Sequence, residues 1–167
     1  MPAAAHIQRT IGHALAEQLS EYEFDGTIST VAASYRRRFD YTLEDLGSLK
    51  VAVVPGPVAV GPTGDVPQAP RGSDYFSLTY GISVGQHVGS DADIEACEDL
   101  CQAIMDAIRS SHFDLGEGVD WVDFSQPMPF DPDQLEERSV FVSHIVVTYM
   151  VPVDKVAMPE PPVFGGG

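Results

Sequence analysis

The side chains with chemistry to offer are five histidines, two cysteines, a large set of carboxylates and one arginine triplet. His6, His13, His87, His112 and His144 form neither HExxH nor any other spacing typical of a zinc or iron site. His144 falls inside an alternating β-pattern, where the expected role is a hydrogen-bonded structural histidine. Cys97 and Cys101 are four positions apart on a helical pattern, which puts both on one face. The expectation there is helix core rather than a metal site or a disulfide. Gly81-Ile82-Ser83-Val84-Gly85 spells the G-x-S-x-G of a nucleophile elbow. That motif needs its serine on a sharp strand-to-helix turn, and Ser83 instead continues the alternation of a strand. No GxxxxGK[ST] phosphate loop and no GxGxxG run is present. Glu17, Glu21, Glu23, Glu136 and Glu137 read as solvated faces, and Asp131-Pro132-Asp133 lacks the spaced oxygen ligands of a calcium loop. No catalytic, cofactor or metal-binding residue is assigned, and the expectation is a protein that is not an enzyme and needs no cofactor.

What remains is contact chemistry. Arg36-Arg37-Arg38 is the one basic cluster in a chain with 25 acidic and 9 basic residues, net charge −16. Adjacent arginines at a strand end project to alternating sides and offer a handle to an acidic partner or a sister subunit. A solvated or self-paired cluster is the plain alternative. Trp121 lies among Val119, Val122 and Phe124 and is expected in the core. Phe164 is an isolated aromatic in a Pro/Gly-rich arm, with little of its own domain to pack on. It is a candidate for a neighbour's groove; simple disorder is the competing reading.

These residues need elements to position them. Ile7, Ile11, Leu15 and Leu19 recur every four residues and predict an amphipathic helix from about Ala4 to Glu21. Thr27 to Phe39 is a mixed β-like stretch ending in the arginines, and Thr42 with Asp45 forms an imperfect capping box. Leu49 to Val54 predicts a strand. The Pro- and Gly-rich run from 55 to 72 predicts a long loop, within which Val58-Ala59-Val60 could extend a hairpin arm. Ser73 to Val84 alternates cleanly and predicts a strand with one covered face. Asp91 to Ser111 predicts a second amphipathic helix packed on that face, with Asp91 or Asp93 as N-cap. Val119 to Phe124 predicts a short strand, Pro127 to Glu137 an acidic connection, and Ser139 to Val151, apolar on both faces, a central strand. The expected fold class is α+β: a small, mostly antiparallel sheet with two helices on one face. One domain covers residues 1–153, and 154–167 form an extended arm.

Length and charge set outer limits. A chain of 167 residues with 44% hydrophobic residues can bury a real core. Net charge −16 opposes backbone binding to nucleic acid and anionic membranes. No apolar run approaches the roughly 20 residues of a membrane span, and no signal peptide is visible at the start. A reducing cytoplasm is the expected folding compartment.

The order of phrases carries a resemblance. A leading amphipathic helix precedes Tyr35-Arg36-Arg37-Arg38-Phe39, then Leu43-Glu44-Asp45-Leu46 and Lys50-Val51-Ala52-Val53-Val54-Pro55. Tyr75-Phe76-Ser77-Leu78-Thr79-Tyr80-Gly81-Ile82 follows, then the helix bearing Ile94-Glu95-Ala96 and Ile104-Met105-Asp106-Ala107-Ile108, and last Val146-Val147-Thr148-Tyr149. Over roughly residues 5 to 153 this layout resembles neck and tail-completion proteins of tailed bacteriophages, the tail terminator group in particular. The resemblance implies a structural virion protein, made in the bacterial host cytoplasm, that assembles as a closed, commonly sixfold homo-oligomeric ring. Such a ring caps the tail tube, joins it to the head connector and lets DNA pass without specific binding. It has no catalytic residues to carry over. Another neck protein (a head–tail adaptor or stopper), a cytoplasmic binding module, or an enzyme with its site near the Gly/Pro loop are the alternatives.

Overall fold

The computed structural model describes residues 4–62, 74–111, 113–116 and 118–152. In chain order these form α1 (Ala4–Glu21), β1 (Ala33–Tyr35), a 3-10 turn (Asp45–Gly47), β2 (Lys50–Pro62), β3 (Asp74–His87), α2 (Asp91–Ser111), β4 (Asp120–Met128), α3 (Pro132–Arg138) and β5 (Val140–Pro152). The five strands make one sheet in the order β1-β2-β3-β5-β4. Only the β1–β2 pair is parallel; the other three pairs are antiparallel. The fold is therefore α+β with a mixed, mostly antiparallel sheet, as the alternation of β3 and β5 implies.

The core follows from period two meeting period 3.6. Phe76, Leu78, Tyr80, Ile82 and Val84 project from one side of β3, and Ile145, Val147, Tyr149 and Val151 from the same side of β5. Ile7, Ile11, Leu15 and Leu19 of α1 and Cys97, Leu100, Cys101, Ile104 and Ile108 of α2 close over them. Burying each such aliphatic side chain contributes about 1.5–3 kcal/mol. Polar pins fix α1 in place: Tyr80 Oη donates to Gln8 O at 2.7 Å, Gln8 Nε2 to Gly56 O at 2.8 Å, and Ala33 N to Ser20 Oγ at 2.9 Å.

Four expectations are corrected. β2 does not stop before Pro55; it runs on to Pro62, pairing Val58 with Leu78 and Ala59 with Ser77 after a bulge between Pro55 and Val58. The bulge takes up Gly56 and Pro57, so the missing N–H of Pro57 falls outside the regular ladder. The remainder of the expected loop lies outside the described residues. The acidic connection contains α3, whose N-cap Asp131 accepts from Asp133 N and Gln134 N. The β-like stretch from Thr27 shrinks to the three residues of β1, which has only β2 to pair with. At α2 the capping oxygen belongs to Ser90, which accepts from Asp93 N at 3.3 Å while Asp93 Oδ2 accepts from Gly89 N at 2.9 Å. Among the described residues no helix is long and apolar enough to cross a membrane.

Candidate assembly surface

One sheet face is covered by α1 and α2; among the described residues the other carries no long helix. Alternation places Ala52 and Val54 of β2, Ser77, Thr79, Gly81 and Ser83 of β3, His144, Val146 and Thr148 of β5, and Asp123 and Ser125 of β4 on that open side. Its middle is half-buried rather than fully solvated. Two cross-strand bonds stitch β3 to β5 there. Thr79 Oγ1 and Thr148 Oγ1 are 3.1 Å apart, and Ser83 Oγ is 2.7 Å from His144 Nδ1.

The Ser83–His144 pair is the one place where the G-x-S-x-G match meets a histidine. Ser83 is 3% exposed and lies inside β3, opposite His144 in the ladder. Positive φ among the described residues occurs only at Ser139, Gly26, Gly116 and Gly118, so no strained turn presents the hydroxyl. Burial holds His144 below its ordinary pKa, against a weaker upward pull from Asp131. The ring is therefore neutral near pH 7, and its bond to Ser83 pins it on the sheet. The cysteines are core: burial pushes Cys97 up to about 12 and Cys101 up to about 11, with Cys101 also feeling a smaller opposing bond to Ser143. Thiols so protonated are poor nucleophiles and poor ligands. Among the described residues no group of three His, Cys, Asp or Glu side chains could hold a metal ion.

The arginine triplet leaves the end of β1 on a flap that folds back over the open face. Phe39 packs on Gly85, with its ring edge-on to His144 at 6.2 Å and to Tyr41 at 4.9 Å. Leu46 is buried beneath the flap. Thr42 N donates to Asp45 Oδ2 at 3.0 Å and Asp45 N to Thr42 Oγ1 at 3.1 Å, the reciprocal bonds of the capping box. These bonds hold the Asp45 carboxyl below the usual range.

The three arginines differ. Arg36 is self-paired: Nη2 is 2.8 Å from Asp40 Oδ1, and the guanidinium sits 4.4 Å from the centre of the Tyr41 ring. Its hydrogen bond holds the Asp40 carboxyl below its ordinary range. Arg38 is 84% exposed and only 4.0 Å from Asp40 Oδ2. Arg37 is exposed and has no ion pair among the described residues. Leu43, 54% exposed on the same flap, is the large hydrophobic side chain that sequence reasoning missed; nothing in its local pattern marks it. Trp121 is half-buried at the β4 edge beside Phe124. Phe164 and the arm from 153 onward lie outside the described residues. The chain matches no known protein-family model and no curated protein.

Proposed function

We propose that this chain is a structural protein of a tailed-bacteriophage virion, a tail terminator whose copies close into a ring between the tail tube and the head connector. One observation carries the reading. The sheet is helix-covered on one side, while its other side keeps a half-buried face and a pinned arginine flap. That arrangement provides two kinds of contact surface on one small domain, as a head-to-tail ring requires. The element order agrees in outline with the layout read from the sequence: a leading helix, strands β1 to β3, a second helix, then β4, the short α3 and a closing strand. Net charge −16 suits a lumen through which DNA slides by like-charge repulsion.

The test is the solution mass of the purified chain, by sedimentation or light scattering, alone and with isolated tail tubes. A closed oligomer, or a monomer that becomes a ring on tubes, supports the terminator role. A monomer indifferent to tubes removes it.

A further inference from the structure

The arginine triplet divides by side. Arg36 and Arg38 lean toward Asp40 on the flap, at 2.8 and 4.0 Å. Arg36 N still donates to Val53 O at 3.0 Å, which carries the strand geometry one residue past β1. Arg37, two residues after Tyr35, therefore projects to the Tyr35 side, which faces α1. Tyr35 is seated closely there. A Cβ at Gly12 would collide with its Cε2 and Cδ2 atoms, and the His13 ring lies 4.7 Å from it, centre to centre. Arg9 stands one turn before Gly12 and His13 on the same side of α1. Burial raises the Tyr35 phenol above its ordinary pKa, and the charges of Arg37 and Arg9 both act on it in the opposite direction. Two cations from two elements thus converge on one phenol.

Nothing within the chain neutralises them. Arg9 and Arg37 are exposed, and neither has an ion pair among the described residues. The acids of α1 are Glu17 and Glu21, and the nearer lies roughly 12 Å along the axis from Arg9. An unpaired cationic patch in a chain with 9 basic and 25 acidic residues calls for an acidic partner surface.

The chain carries such a surface on α2. Glu95, Glu98 and Asp99 are exposed, share one stripe at i, i+3 and i+4, and have no ion pair among the described residues. Arg109, the one basic residue of α2, is taken up by Asp106 at 3.4 Å. Helix α1 lies mainly over β1 and β2, and α2 mainly over β5. The cationic patch and the acidic stripe therefore occupy opposite flanks of the helix-covered side. Repulsion between two acidic copies is screened beyond about 8 Å at physiological salt, so local complementarity decides the contact.

We infer that the Arg9–Arg37 patch docks the Glu95, Glu98 and Asp99 stripe of a second copy of this chain, its guanidiniums donating to the carboxylates. Two different patches meet, so the contact repeats head to tail. That it closes a ring rests on the terminator reading; the pairing of copies does not.

The test is a charge swap read by sedimentation, in solution and on isolated tail tubes. One full-length chain carries Arg9→Glu and Arg37→Glu; another carries Glu95→Lys, Glu98→Lys and Asp99→Lys. All five positions are exposed, and circular dichroism checks that each variant folds. The wild-type chain should associate as its concentration rises. Each variant alone should associate at least about tenfold more weakly, because its two surfaces now carry the same sign. An equimolar mixture should recover most of the association, since each variant offers the charge that the other lacks. A variant that associates like the wild type, a mixture that stays apart, or a wild-type chain that associates in neither setting overturns the proposal. Capture of labelled duplex DNA that is lost with Arg9→Glu and Arg37→Glu would assign the patch to phosphate and also overturn it. Rings that form on tubes from either variant alone overturn this contact and leave the terminator role standing. Charge-dependent pairing in solution with no attachment to tubes supports the contact and removes the role.

Discussion

Phe39 occupies the space that a side chain at Gly85 would need. A Cβ at Gly85 would stand 2.5 Å from Phe39 Cζ and 3.1 Å from Leu46 Cδ2. Gly85→Ala should therefore lift the flap, at a cost of about 1–3 kcal/mol for overpacking. Denaturant unfolding measures the cost, and trypsin cleavage after Arg36, Arg37 or Arg38 measures the release. Unchanged stability together with unchanged cleavage would show that the flap is not seated on Gly85.

Of the buried phenols, Tyr80 and Tyr149 should respond oppositely. Tyr80→Phe removes a 2.7 Å bond to Gln8 O and should cost about 1 kcal/mol. Tyr149→Phe removes a hydroxyl that bonds nothing and should be neutral or slightly stabilising. Thermal unfolding of the two variants side by side decides it. An equal loss in both would mean that Tyr149 is satisfied after all.

Helix α3 offers a second opposed pair. Asp131→Ala deletes the N-cap acceptor and should cost about 1 kcal/mol. Ser139 ends the helix in the left-handed region at φ 53°, a conformation that penalises any side chain by roughly 1–2 kcal/mol. Ser139→Gly should therefore stabilise the protein, less the extra backbone entropy that glycine loses on folding. Loss of stability in the glycine variant would refute the strain.

His144 gives the pH dependence a sign. Burial lowers its folded pKa below the ordinary 6.5, so between those two values the unfolded chain binds more protons than the native one. Its contribution to stability is whole above about 6.5 and is lost as pH falls toward the folded value. Melting temperature should drop between pH 7.5 and 5.5, and the drop should be smaller in His144→Gln. Parallel curves would reassign the effect to another group.

The legible parts of this fold are those where one period dominates. Ile7 to Leu19, Phe76 to Val84 and the β5 run each repeat long enough to outweigh local noise, and α1, α2, β3 and β5 stand within a few residues of where their patterns put them. Local turn chemistry misleads where tertiary pairing overrides it. Pro55-Gly56-Pro57 signals a stop, yet β3 offers a partner on the far side, and a bulge bridges the gap. Helix α3 has the expected signature, Asp131 as cap and Pro132 in the first turn, but seven residues are too few for a periodic stripe. The arginine triplet was visible as a cluster. Its division into a self-paired Arg36 and an unspent Arg37 depends on where Asp40 and Tyr41 fall once Phe39 is seated. The unpartnered Tyr149 hydroxyl left no trace in the pattern, because a hydroxyl's lack of a partner depends on what packs around it in the folded chain.

The β3–β5 ladder, which forms the middle of the sheet, also sets a clock. Its Thr79–Thr148 bond joins positions 69 apart in the chain, and Ser83–His144 joins positions 61 apart. Closing so long a loop must be accomplished before the ladder returns any favourable energy. Chains whose sheets depend on such distant partners fold in milliseconds to seconds rather than microseconds. Until β5 docks, β3 has an open edge exposed to other nascent chains. The purified protein should therefore refold more completely at low concentration than at high.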